Sequence, residues 1–125
     1  MDQKLNRILT DIDAMNGVEG SAIVDFRSGM VIYTSPGFDD EATPLAEATS
    51  DYWRLYERQS GAFNALGPLK ISIMIHEKKR LTMLPCGEGL MCLVQTAKVD
   101  DIDWLELQRK VLCLHNTFLN GPSAG

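Results

Sequence analysis

The chain has 125 residues, 45% of them hydrophobic and 23% charged, a length that buries one core but not two and a composition that is neither disordered nor fibrous. Seventeen acidic residues against twelve basic ones give a formal net charge of −5, which opposes the counterion-release attraction behind nucleic-acid binding. The longest apolar run, Leu90 to Val94, falls far short of the ~20 residues of a membrane span, and the start MDQKLNR lacks the apolar stretch of a signal peptide, so a cytoplasmic protein with no membrane insertion is expected.

Leu5, Ile8, Leu9, Ile12 and Met15 recur at helical spacing and predict a first helix over Lys4 to Met15, stopped by Gly17 and Gly20. Ser21 to Phe26 and Met30 to Thr34 read as two strands of a hairpin turning through Arg27, Ser28 and Gly29. Ser35-Pro36-Gly37 breaks the second strand, and Asp39, Asp40 and Glu41 place negative charge near the positive end of the next helix. That helix has Thr43 as a candidate cap and Pro44 in its first turn, carries Leu45, Thr49, Tyr52, Trp53 and Tyr56 on one side, and ends near Gln59. Its other side carries Glu47, Asp51, Arg54 and Arg58, a wet face opposite an aromatic one.

In Lys70 to Glu77, Ile71, Ile73 and Ile75 alternate with Ser72, Met74 and His76, the period of a strand with different surroundings on its two faces. Lys78-Lys79 turns the chain into Arg80 to Leu84, and Pro85-Cys86-Gly87-Glu88-Gly89 turns it again into Leu90 to Thr96, apolar on both faces. Asp100, Asp101 and Asp103 open a last helix with Trp104, Leu107, Val111, Leu114 and Phe118 in a stripe and Leu105, Leu112 and Leu119 alongside; it ends near Asn120, and Ser123 to Gly125 form a frayed tail. The order α-β-β-α-β-β-β-α, with short connections between strands, predicts an α+β domain spanning residues 1–125, its ordered core about 4–119, with a five-stranded antiparallel sheet covered by helices on both faces.

No residue pattern points to catalysis. His76 and His115 have no ligand partner at metal spacing, and read as a partly exposed strand residue and a side chain favouring its helix's negative end. The three cysteines, Cys86, Cys92 and Cys113, lack the C-x-x-C spacing and read as free buried thiols. The glycine-rich Pro85 to Gly89 precedes a strand instead of a helix and lacks the Lys-Ser/Thr of a nucleotide loop, so it reads as a tight turn. No metal or cofactor is expected, and the chain alone should neither bind nor hydrolyse GTP. Trp53 reads as a core contact, while three adjacent bulky rings, Tyr52, Trp53 and Tyr56, exceed what a stripe on the sheet needs and point toward a neighbouring subunit.

Leu5-Asn6-Arg7-Ile8-Leu9, then Gly17 to Asp25 and Ser28-Gly29-Met30-Val31-Ile32, together with Arg80 to Leu84 and Glu88 to Val94, resemble the roadblock family of dynein light-chain-like proteins and their bacterial GTPase-regulating relatives. The resemblance runs from about Leu5 to Leu119; Ser28 stands where the family often has an aspartate or asparagine before the glycine. It implies a roadblock or profilin-like arrangement, with helix two on one face of the sheet and helices one and three on the other. It also implies a homodimer or heterodimer in which strand three pairs across a two-fold axis beside the second helices, and a Ras-like small GTPase or a motor complex as partner.

The expected function is therefore a non-enzymatic homodimeric regulator or scaffold for a small GTPase, with Ile71, Ile73, Ile75, Tyr52 and Tyr56 at the dimer interface and Glu47, Asp51, Arg54 and Arg58 facing another chain. The alternatives are a small-molecule sensor with a pocket between sheet and helices, and a motor or adaptor light-chain-like scaffold. Consecutive strand residues point their N–H groups at opposite neighbours, so Ser72 and Ile73 address different strands, in an order that sequence does not fix.

Overall fold

The computed structural model describes residues 3–38 and 41–120, excepting the side chains of Leu119 and Asn120. Asp39 and Asp40, expected before the second helix, the side chain of Leu119, expected beside the last stripe, and the tail Ser123 to Gly125 lie outside the described residues. The elements are α1 (Gln3–Asp13), β1 (Val18–Asp25), β2 (Met30–Thr34), α2 (Ala42–Arg58), a 3₁₀ segment (Ser60–Leu66), β3 (Ser72–Ile75), β4 (Lys79–Gly87), β5 (Leu90–Ala97) and α3 (Trp104–Asn120). They form one antiparallel sheet in the order β2-β1-β5-β4-β3, so β2 and β3 are its edges.

The sheet divides the core in two. Ile23, Leu84, Cys86, Cys92 and Val94 face Leu5, Leu9 and Ile12 of α1 and Leu107, Val111 and Leu114 of α3. Ala22, Val24, Met83, Met91 and Leu93 face Phe38 and the buried side of α2, Ala42, Ala46 and Trp53. Helix two thus covers one face and helices one and three the other, because consecutive strand residues alternate between faces while each helix stripe supplies one apolar side.

Two glycines meet needs of the backbone, Gly17 by its positive φ and Gly37 by an approach that a Cβ would block. Gly17 has φ +83°, and a Cβ there would sit 2.3 Å from Ile102 Cδ1, so the turn from α1 into β1 packs directly on the loop before α3. A Cβ on Gly37 would lie 1.9 Å from the Glu19 carbonyl oxygen, which seats the β2–α2 connection against β1.

The sequence boundaries need several corrections. Strand three is Ser72–Ile75, not Lys70 to Glu77, because it is an edge with one neighbour and its hairpin already closes where His76 donates to the Lys79 carbonyl at 2.9 Å. β4 therefore starts at Lys79, and it continues through Pro85 and Cys86 to Gly87, leaving only Glu88 and Gly89 as the turn. Pro85 is tolerated at the register shift between Pro85 and Gly87. α2 begins at Ala42, so Thr43 lies within the helix and does not cap it. α3 starts at Trp104 with Asp103 as its cap, whose Oδ1 accepts the Glu106 N–H at 3.0 Å, while Asp100 and Asp101 lie in the connection before it. Cys86 and Cys92 are buried, but Cys113 is exposed, since it lies off the buried Leu107, Val111 and Leu114 stripe of α3.

Candidate functional site

The C-terminal half of α2 turns Trp53 into the core, 5% exposed, and leaves Tyr52 60% exposed on its outer side. Past Gln59, whose N–H is satisfied by the Leu55 and Tyr56 carbonyls, the chain tightens into the 3₁₀ segment and adds Phe63 and Leu66 to the same surface. The rings step outward from the interior: Phe26 to Trp53 at 6.1 Å, Trp53 to Tyr56 at 6.0 Å and Tyr56 to Phe63 at 5.4 Å, all tilted. Such tilted pairs are favourable beyond the area they bury, so the outer rings are held in place by the inner ones. Tyr52, Tyr56, Phe63, Leu66, Ser72 and Met74 line a groove of about 560 Å³ between this helix end and β3.

Ile73 and Ile75 lie on the other side of the sheet. Ile73 pairs with Thr82, which pairs with Val94 of the α1/α3 core, whereas Ser72 and Met74 pair with Met83 and Leu81 of the α2 core. Ile71, just before β3, is half-buried against the α1/α3 core and borders the groove. The five residues expected at an interface therefore make a corner wrapping around the β3 edge, not one flat face. Leu55, Phe63 and Leu66 belong to this corner and were missed from sequence; Phe63 and Leu66 sit in a stretch with no helical or strand period.

The edge has a definite polarity. His76 and Lys79 form a hydrogen-bonded pair, and such pairs alternate along an antiparallel ladder, so Met74 and Ser72 donate inward to β4 while the N–H groups of Ile73 and Ile75 point outward.

The polar side of α2 is partly engaged within the chain. Arg54 donates to the carbonyls of Phe26 and Arg27, the latter at 3.3 Å, and pairs with Asp51, so it clamps the β1–β2 turn. Glu47 and Arg58 are exposed on the same helix. Elsewhere, burial pushes the Cys86 thiol up to about 12 and raises that of Cys92 well above the ordinary range, which leaves neither as a thiolate near neutral pH. Among the described residues no three His, Cys, Asp or Glu side chains are grouped to hold a metal ion, and no helix is long and apolar enough to cross a membrane.

Residues 4–96 match the family model described as Roadblock/LC7 domain. Among solved structures, a Roadblock/LC7 domain from Streptomyces avermitilis is similar with a TM-score of 0.74 at 14% identity, covering 96% of this chain and 95% of that one. MglB of Myxococcus xanthus has a TM-score of 0.74 at 16% identity over 94% and 97% of the two chains. The gliding protein MglB from Thermus thermophilus has a TM-score of 0.73 at 13% identity over 91% and 87%. At these identities the likeness is one of fold. No curated protein matches the chain significantly.

Proposed function

This chain belongs to the Roadblock/LC7 domain family, and on that footing we propose that it is a homodimeric, non-enzymatic regulator or scaffold for a Ras-like small GTPase. The observation that carries the reading is the corner where Tyr52, Leu55, Phe63 and Leu66 are exposed beside a strand edge whose Ile73 and Ile75 are also exposed. An apolar surface of this kind with an open edge is a liability for a lone chain and is explained by a partner that covers it; a second copy can do so by pairing β3 with β3 about a two-fold axis. The GTPase then docks on the outward side of α2, where Glu47 and Arg58 are the freer groups and Asp51 and Arg54 hold the adjoining turn. The chain itself supplies no hydrolytic group, and its effect on the GTPase is exerted by contact.

Light scattering on a size-exclusion column tests the dimer: the expected mass is twice that of one chain, and Tyr52→Ala with Leu66→Ser shifts it to one chain that keeps the wild-type circular dichroism spectrum and a cooperative melt, lower only by the stabilisation that association supplied. A monomeric wild type at about 50 μM, where even a modest interface forms, sinks the dimer. Pull-down with Ras-like GTPases loaded with GDP or a GTP analogue tests the partner, and the expected outcome is retention in one nucleotide state and its loss in Glu47→Lys with Arg58→Glu. Retention in neither state overturns that half of the reading.

The groove beside Tyr56 also falls within the ~300–1,000 Å³ of small-ligand sites, which supports the sensor reading as the second one. Native mass spectrometry of the freshly purified protein separates the two, because a sensor carries extra mass and a dimeric regulator does not.

A further inference from the structure

α3 carries a second apolar surface on the opposite side of the molecule. Leu107, Val111 and Leu114 fasten the helix to the sheet, whereas Leu105 and Leu112 are 80% and 56% exposed. Seven residues apart, they form a ridge two helical turns long, roughly 10 Å. With Pro68, Leu69 and Pro85, and with the buried Leu84 as floor, they line a groove of about 530 Å³. The charged and titratable side chains lining it are Lys70, Arg109 and His115, with no carboxylate among them. Glu106, beside Leu105 on the helix, is shared between Arg109 and Lys110, the latter at 3.6 Å, one acid against two bases, and its carboxyl is held below the ordinary range chiefly by the Arg109 hydrogen bond. The groove is therefore basic on a chain whose formal net charge is −5.

We propose that this groove docks an acidic amphipathic helix of a partner protein. Apolar side chains of that helix at i, i+3, i+4 and i+7 pack along the Leu105–Leu112 ridge and over Leu84, and its flanking carboxylates meet Lys70, Arg109 and His115. A helix suits the site better than an added strand, because Pro85 has no N–H to offer a strand where the groove meets β4.

The test titrates the ¹⁵N-labelled full chain with a designed peptide about 18 residues long, above the length at which isolated helices are marginal, with leucines at i, i+3, i+4 and i+7 and glutamates among alanines elsewhere. A twin peptide replaces the glutamates with lysines. Expected are saturable shifts confined to the amides of Leu69, Lys70 and the Leu105–His115 stretch, with binding about tenfold weaker for the twin and about tenfold weaker again for Leu112→Glu. If Leu112→Glu alters the thermal melt, Leu105→Gln, at the more exposed position, replaces it. Shifts mapping to the Tyr52–Leu66 corner, equal binding of the two peptides, or no saturation overturn the proposal. So does a fall in sedimenting mass with Leu112→Glu, which would make the groove a contact between copies of this chain.

Discussion

β5 and β3 carry similar apolar side chains in different settings. β5 lies between β1 and β4, and Met91, Cys92, Leu93 and Val94 are buried alternately against the α2 core and the α1/α3 core. β3 has β4 alone as a neighbour, and its Ile73 and Ile75 stay 38% and 67% exposed although both lie on the face that α3 covers further along the sheet. Burial on both faces makes a strand a source of stability, whereas burial on part of one face with outward N–H groups makes it a surface for another chain. The centre should therefore answer to substitution in the folding equilibrium and the rim in the association equilibrium.

The strongest way to break this comparison is at the centre. Leu93→Ala removes a fully buried side chain from β5, and core truncations of this size cost ~2–5 kcal/mol, a large share of the ~5–15 kcal/mol that holds a domain together. The expected outcome is a much lower urea midpoint, with the molecules that remain folded still associating as the wild type does. A loss of association with an unchanged midpoint would invert the roles assigned to centre and rim.

The proline pair sharpens the comparison within β3 itself. Ser72 donates inward, so Ser72→Pro removes a ladder bond to Met83, worth about 0.5–1.5 kcal/mol net and more if the carbonyl is left buried and unpaired. It should lower the melting temperature. Ile73 donates outward, so Ile73→Pro should weaken association and take from the melt only its dependence on protein concentration, with Ile73→Val as the control for lost apolar contact. Light scattering and circular dichroism on the same samples read both effects, and two folded, fully associated proline variants would remove β3 from the interface.

Much of this fold was legible because its signals are periodic. The stripes of α1 and α3, the alternation in β3 and the double-sided run of β5 each reflect one geometric repeat, and the structure has an element at each. What was not legible depends on pairing and on non-periodic backbone. Only the register Ile73 to Thr82 and Thr82 to Val94 reveals that the isoleucines and Tyr52 lie on opposite sides of the sheet. Phe63 and Leu66 occupy a 3₁₀ segment that follows neither repeat, and a short apolar content between Gly61 and Gly67 was the one available hint. Leu105 and Leu112 read only as lying alongside the α3 stripe, which they adjoin by one residue, and a step of about 100° on a helix is enough to carry a side chain from the sheet to solvent.

The smallest expected effect belongs to the ion pair that ties the start of β1 to the start of β4. Lys79 Nζ lies 2.7 and 2.6 Å from the two carboxylate oxygens of Glu19, and Gln95 Nε2 donates to the same group at 3.1 Å. The Lys79 hydrogen bond first, and then that of Gln95, lowers the Glu19 pKa against a smaller opposing effect of burial. Because the folded value lies below the unfolded one, the stabilisation is fully present above the unfolded value, ordinarily about 4.3, and is lost as pH falls through the folded value. Both side chains are partly exposed, 49% for Lys79 and 31% for Glu19, so the pair should contribute no more than about 1 kcal/mol and less at high salt. Glu19→Gln keeps the size and can still accept from Gln95. The melting temperatures of wild type and variant should differ slightly and constantly from about pH 8 down to pH 5, then converge below about pH 4.3 as Glu19 takes up its proton. A variant more stable than the wild type near neutral pH, with that gap closing in acid, would mean that burial outweighs Lys79 at Glu19, and would make this corner of the sheet a part of the core and not of its rim.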